Sequence, residues 1–383
     1  MEHLINSRVR EIELSGIRKF FNMVNDYEDV ISLTIGQPDF ITPEHVKYAG
    51  KEAINKNYTT YTHNAGYLEL REAASQFVKS KYNLTYSPDH EVIVTVGASQ
   101  AIDCTFRTLL EEGSEVILPS PVYPGYEPLI KLAGGKPIYV DTTANDFKLT
   151  AELIKSHLTE RTRCIVLPYP SNPTGVTLNE DELMKIAELV EGKDLFVLSD
   201  EIYSELVYGK THVSIASYLR EQTIVINGLS KSHSMTGWRI GLLFAPHNVA
   251  KHLLKVHQYN VSCASSVSQR AAIEALTTGI NDANEMKEAY KERLEYVYNR
   301  LVGMGLDVVK PDGAFYLFPN IKKFNQTSFD FARSLVEKAG VALVPGSAFS
   351  EYGEGYVRLS YAYSMEQLTE AMNRLEYYLK EYV

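Results

Sequence analysis

The sequence predicts a mixed α/β fold built on a central, mainly parallel sheet. Three observations carry that expectation. Short apolar segments recur across residues 91–246, they run in Val, Ile and Leu without polar alternation, and helical stretches lie between most of them. Unbroken apolar strands suit burial on both faces, and strand–helix alternation is the pattern of a parallel sheet covered by helices.

Taken in order, residues 1–25 read as a helix followed by a connecting arm. The candidate strands are 91–97 (EVIVTVG), 115–121 (EVILPSP), 136–141 (KPIYVD), 163–170 (RCIVLPYP), 195–203 (LFVLSDEIY), 223–230 (TIVINGLS) and 239–246 (RIGLLFAP). A helix is expected over 99–110, after the first strand. Another is expected over 179–190, where Asn179 is a suitable cap and the next residues are acidic. Residues 284–303 read as a long charged amphipathic helix of the kind that often separates domains. Beyond it, FYLFPNI, VALVPG and YVRLSYA each neighbour a helical stretch, which suggests a smaller α+β unit. The expected division is an N-terminal arm over 1–35, a large domain over 36–283 and a small domain over 284–383.

Composition narrows the class. A chain of 383 residues suggests two or three domains. The net charge of −10, without a basic tract, argues against nucleic-acid binding. Cys104, Cys164 and Cys263 are far apart and odd in number, which suits a reducing cytoplasm better than a disulfide framework or a Cys-rich zinc site. The charged start, MEHLINSRVREIELSG, has no apolar h-region, and no run of about 18 uncharged apolar residues suggests a membrane span. The histidines show no metal-ligand spacing; His247 and His252 are read as surface residues. Dinucleotide, P-loop, HExxH and GxSxG signatures are absent, GLSKS being the nearest approach to the last.

The chemistry-bearing residues cluster where candidate strands end. Lys231, in NGLSKSHSMTGWRIG, stands just past a strand, where open α/β sheets bind ligands. A desolvated lysine near other cations has a lowered pKa and attacks aldehydes. Arg239, eight residues on, is suited to a dianionic phosphate. Asp200 ends LFVLSD and, if buried, needs a partner such as a protonated ring nitrogen; Tyr203 could donate to a phenolate. PYPSNPTG presents Asn172 as an amide donor. In VTVGASQA, Ala98 and Ser99 open a helix whose free N–H groups and dipole favour a phosphate. Tyr123 in PVYPGY could stack on an aromatic ring. Gly36 in LTIGQPDF lets a ligand approach the backbone, Tyr61 lies in TTYTHNAGYLELR, and Arg358 in GYVRLSYA could grip a carboxylate bidentately. Each alone has an ordinary structural explanation. Together they fit a phosphorylated aromatic aldehyde.

From GQPDF through YTHNAGYLELR, SNPTG, SDEIY and SKSHSMTGWRIG to YVRLS, nearly the whole chain resembles the class I/II aminotransferases of fold type I, which use pyridoxal 5′-phosphate. The resemblance implies amino-acid and 2-oxo-acid substrates and a homodimer with shared active sites. It implies Lys231 as the covalent attachment point, Asp200 at the pyridine nitrogen, and Asn172 and Tyr203 at the ring oxygen. Tyr123 would stack on the ring. Ala98, Ser99 and Arg239 would hold the phosphate, with Tyr61 reaching the neighbouring subunit's. Arg358, Gly36 and Asn172 would hold the substrate α-carboxylate. Gly228 departs from the pattern, because many members carry Ser three residues before the lysine; one phosphate contact is left unassigned. Arg18 is a candidate for a second, side-chain carboxylate. A carbon–sulfur β-lyase would use nearly the same residues.

Overall fold

The computed structural model describes residues 1–382. Twelve strands occur among them: β1 (Ile31–Ser32), β2 (Val92–Val96), β3 (Glu115–Ser120), β4 (Lys136–Asp141), β5 (Thr162–Leu167), β6 (Phe196–Asp200), β7 (Thr223–Gly228), β8 (Ile240–Phe244), β9 (Tyr316–Leu317), β10 (Val341–Ala342), β11 (Val344–Pro345) and β12 (Val357–Ser360). Seven of them form one sheet in the order β2-β8-β7-β6-β5-β3-β4. All seven candidate strands of the sequence are present in it. Only β8 runs against its neighbours, pairing antiparallel with both β2 and β7; the pairs among β3 to β7 are parallel.

Both faces of this sheet are buried, which explains its unbroken apolar strands. Val116, Leu118, Cys164, Val166, Leu198, Ile224 and Ile226 point into one layer, packed with Phe106, Ile130 and Leu253 from covering helices. Their strand neighbours Ile117, Ile165 and Val197 point into the other, against Ile154, Leu183 and Ile186. The helix after β2 spans Gly97–Leu109 and starts two residues earlier than expected. The helix Glu180–Val190 carries the expected Asn179 cap, reinforced by a reciprocal Glu182 contact.

The C-terminal part has its own core. The helix Ala283–Gly303 buries Met286, Tyr290, Leu294, Val297 and Leu301, spaced three or four apart on one face. It packs with Leu368, Met372 and Leu375 of the helix Met365–Glu381 and with the antiparallel set β11-β12-β9. The N-terminal arm joins this part, since β1 pairs in parallel with β10. Its helical section differs from the sequence expectation. It includes two short helices, Ser7–Glu11 and Gly16–Val24, separated by the non-helical residues 12–15. Among the described residues no helix is long and apolar enough to cross a membrane.

Candidate active site

Sheet topology gathers the candidate residues. β2, β3, β5, β6 and β7 are co-directional, so the residues following them emerge at one edge. The antiparallel return of β8 places its start beside the end of β7, with Gly228 opposite Gly241. The intervening turn therefore holds both Lys231 and Arg239 at that edge. A cavity of about 650 Å³ lies there, lined by Gly36, Ala98, Ser99, Tyr123, Asn172, Asp200, Tyr203, Lys231, Arg239 and Arg358, and also by Arg18. Tyr61 is not part of it; its side chain is 87% exposed on the surface of the same chain.

Lys231 occupies a four-residue helix, Leu229–Ser232. Its Nζ donates to the Gly36 carbonyl and lies 5.6 Å from the Tyr203 ring centre and 5.7 Å from that of Phe315. Burial pulls its pKa down to about 7, helped by the Arg358 and Arg239 charges and opposed by Asp200. The amine is thus substantially neutral near pH 7, the form that attacks carbonyls and accepts protons.

Asp200 ends β6 and is buried. Tyr126 donates to its Oδ2 at 2.6 Å and the Ile202 amide to its Oδ1 at 3.3 Å. Burial nevertheless pushes its pKa up to about 6. Two neutral donors do not fully compensate a buried carboxylate, and a nearby cation would.

The opposite charge is also under-partnered. Arg358 on β12 is 2% exposed. Its guanidinium donates to Asn172 Oδ1 at 2.8 Å and to the Thr34 carbonyl, lies over the Tyr316 ring, and leaves Nε without a partner. Among the described residues it has no carboxylate partner. Arginine cannot shed its proton, so this buried charge calls for an anion. Because Asn172 Oδ1 is engaged, its amide NH₂ remains available to donate.

At the β2 and β8 ends, Gly97 has φ +74° and packs directly under the Arg239 guanidinium, where a Cβ would collide with it. A Cβ on Gly241 would lie 2.7 Å from Ala98 N, so only glycine lets these backbones meet. The result is a helix N-terminus of 13 residues facing an arginine, an arrangement suited to an anion. Gly228 has a packing reason as well. A Cβ there would sit 2.9 Å from the Ile240 carbonyl oxygen, too close for a side chain without a backbone shift, while Ser230 lines the cavity.

Tyr123 packs its ring over Gly125 and stands edge-on to Tyr126, with ring centres 5.6 Å apart. The Tyr203 hydroxyl is 2.8 Å from that of Tyr316. Tyr126, Tyr316 and the Thr34 carbonyl were not singled out from sequence. Tyr126 had a signal, since it lies three residues after Tyr123 and closes the same PVYPGY segment. Tyr316 had none that separates it from the chain's other tyrosines.

A buried, partly neutral lysine, an acid beneath it, an anion cradle on one side and an unpaired arginine on the other define a site for amino-group transfer. The chain belongs to the class I and II aminotransferases, whose family model matches residues 28–375, and it is a transaminase. It is 67% identical over 379 residues to the probable N-acetyl-LL-diaminopimelate aminotransferase of Bacillus subtilis, covering 99% of this chain and 96% of that one. It is 42% identical to aromatic-amino-acid aminotransferase 2 of Thermococcus litoralis, covering 98% of both. Among solved structures, the aspartate aminotransferase of Thermus thermophilus with maleate superposes with a TM-score of 0.93 at 35% identity, covering 97% of this chain and 99% of that one.

Proposed function

We propose that the chain is a pyridoxal 5′-phosphate-dependent, homodimeric aminotransferase that exchanges an amino group between N-acetyl-LL-2,6-diaminopimelate and 2-oxoglutarate, a step of lysine biosynthesis in the cytoplasm. The observation that carries the reaction class is the buried, anion-seeking Arg358 in the same cavity as an amine with a pKa near 7. The overall likeness to the Bacillus subtilis relative carries the substrate.

The residues fit the cofactor. Asp200 lacks a cation that a protonated pyridine nitrogen would supply, and the glycine-lined helix N-terminus facing Arg239 suits its phosphate. When bound, pyridoxal phosphate supplies an aldehyde that condenses with amines and a ring that takes up the electrons of a breaking Cα–H bond. Ala98, Ser99 and Arg239 would hold the phosphate, with the partner subunit's Tyr61 completing the grip, and Tyr123 would stack on the ring. Asp200 would keep the ring nitrogen protonated, while Asn172 and Tyr203 would donate to the ring oxygen. Arg358, with Asn172 and the Gly36 backbone, fixes the substrate α-carboxylate and so aims the Cα–H bond. Lys231 would take the Cα proton as base and return it as acid. Two such half-reactions in sequence give ping-pong kinetics. With the chain divided at 35/36 and 283/284, closure of the small domain over the cavity would exclude water.

Spectra of the half-reaction with a panel of amino acids test the substrate. Acetylated diaminopimelate and glutamate should convert the cofactor fastest. Faster conversion by phenylalanine or tyrosine would favour the aromatic or broad-specificity alternative, and release of pyruvate and ammonia from cystathionine would favour the β-lyase.

The lysine also predicts a pH profile. Since only the neutral amine condenses with an aldehyde, covalent capture of the cofactor by apoprotein should accelerate up to about pH 7 and level off above it. Asp200 raises the lysine pKa, so Asp200→Asn should move the midpoint to lower pH. Borohydride trapping at timed intervals measures both. A midpoint near the ordinary lysine value of 10.5 would contradict the desolvated site.

A further inference from the structure

Tyr316 lines the cavity and is fully buried, and the function proposed above leaves it without a role. Strand pairing fixes where it stands. Tyr316 on β9 lies opposite Ser360 of β12. Arg358, two residues before Ser360, shares that face of the pleat, so the arginine and the tyrosine meet on the diagonal. The Arg358 guanidinium rests 4.5 Å from the centre of the Tyr316 ring. At the far end of that ring the hydroxyl reaches the hydroxyl of Tyr203, 2.8 Å away. It fits there because Gly36 has no side chain: a Cβ on Gly36 would lie 2.5 Å from the Tyr316 hydroxyl oxygen.

Counting protons gives this contact a direction. Burial raises the pKa of both phenols, so each keeps its proton at neutral pH. A phenol has one proton to donate. Among the described residues, each of these hydroxyls has the other as its only hydrogen-bond partner. One proton of the pair fills the contact and the other is left over. If Tyr203 gives its proton to a ring oxygen in the cavity, only the Tyr316 proton remains to fill the contact. The order of donation is then Tyr316 to Tyr203 to ring oxygen. A hydroxyl that accepts a hydrogen bond becomes a stronger donor, because each bond in a chain polarises the next.

We propose that Tyr316 is a positioning residue that aligns and strengthens the Tyr203 donor through this relay, and so favours negative charge on the cofactor's ring oxygen. This rests on the reading of Tyr203 at that oxygen. The resting holoenzyme reports it without turnover. A proton shared between the ring oxygen and the Lys231 nitrogen leaves as pH rises, the oxygen becomes anionic, and the visible absorption of the bound cofactor changes with it. A donor to the anion favours that loss and lowers its midpoint. Lys231, Asp200, Arg358 and Tyr123 are the charged and titratable groups facing the two phenols. They stay in place when only the Tyr316 hydroxyl is changed, so their influence cancels in the comparison.

The test is a spectrophotometric pH titration of the holoenzyme and its variants, with melting of the apoproteins to check that each folds. Tyr203→Phe removes the donor and should raise the midpoint by about one to two units. Tyr316→Phe keeps the ring under Arg358 and removes only the relay. It should raise the midpoint by about half a unit, and add nothing when combined with Tyr203→Phe. Replacing Tyr316 by 3-fluorotyrosine, a more acidic phenol of almost the same size, should lower the midpoint, and this variant decides the question should Tyr316→Phe not fold. An unshifted midpoint in Tyr203→Phe would remove Tyr203 from the ring oxygen, and the relay with it. A shift there but none in Tyr316→Phe would overturn the relay alone. So would a Tyr316→Phe shift that persists without the Tyr203 hydroxyl, or a fluorotyrosine shift upward.

Discussion

Replacing Lys231 with alanine is expected to lower turnover by about 10⁴-fold or more, the upper range for loss of a positioned acid–base group, because in the proposed mechanism the same side chain also anchors the cofactor. The amine, close to Gly36, Tyr203 and Phe315, is neutral enough at pH 7 to take a proton from carbon. The variant should fold. A lysine whose folded pKa lies near 7, below its ordinary 10.5, binds fewer protons folded than unfolded between those values. Its penalty on the fold is therefore full below pH 7, shrinks as pH rises, and is gone above about 10.5. At neutral pH the apo variant should melt no lower than wild-type apoprotein. Loss of activity with an intact melt would thus report chemistry. Small primary amines, fitting the vacated space, should restore part of the rate in proportion to their basicity. Near-normal turnover without any added amine would remove Lys231 from the mechanism.

What could be read from the sequence follows from where the fold puts information. The strands were legible because burial on both faces forces unbroken runs such as the VIVTV and FVLSD segments. Lys231, Asp200, Asn172 and Ala98 were legible because each follows such a run, and co-directional strands end at one edge. Tyr316 and the Thr34 carbonyl belong to parts of the chain distant in sequence that meet the site only through tertiary packing, Thr34 by way of the arm beside β12. No local spacing announces that meeting. The split of the N-terminal helix is a different kind of miss. Ser15 stands at the N-cap and Gly16 at the first position of the second helix, and the closeness of Gly16 to Ala348 shows why a small residue stands there.

Asp200→Ala should cost about 10²–10³-fold in kcat/KM, the scale associated with losing one preorganised electrostatic partner. The aspartate is not a proton carrier in this account. In the proposed mechanism it makes the protonated ring nitrogen favourable, and its own pKa, pushed up to about 6 by burial despite the Tyr126 hydrogen bond and the Lys231 charge, shows how strongly burial opposes a negative charge there. A ring cation would reverse that balance, drawing the aspartate pKa down and the nitrogen pKa up together. The Tyr126 hydroxyl, 2.6 Å from Oδ2, keeps the carboxylate aimed while it waits. The decisive measurement uses a cofactor analogue methylated at the pyridine nitrogen, whose ring charge does not depend on a proton. Asp200→Ala leaves space for that methyl group, so the analogue should recover part of the lost rate in the variant and none in the wild type, where the carboxylate blocks it. If the analogue restores nothing in Asp200→Ala while still binding, the aspartate acts by shape rather than by charge, and the electrostatic role assigned to it fails.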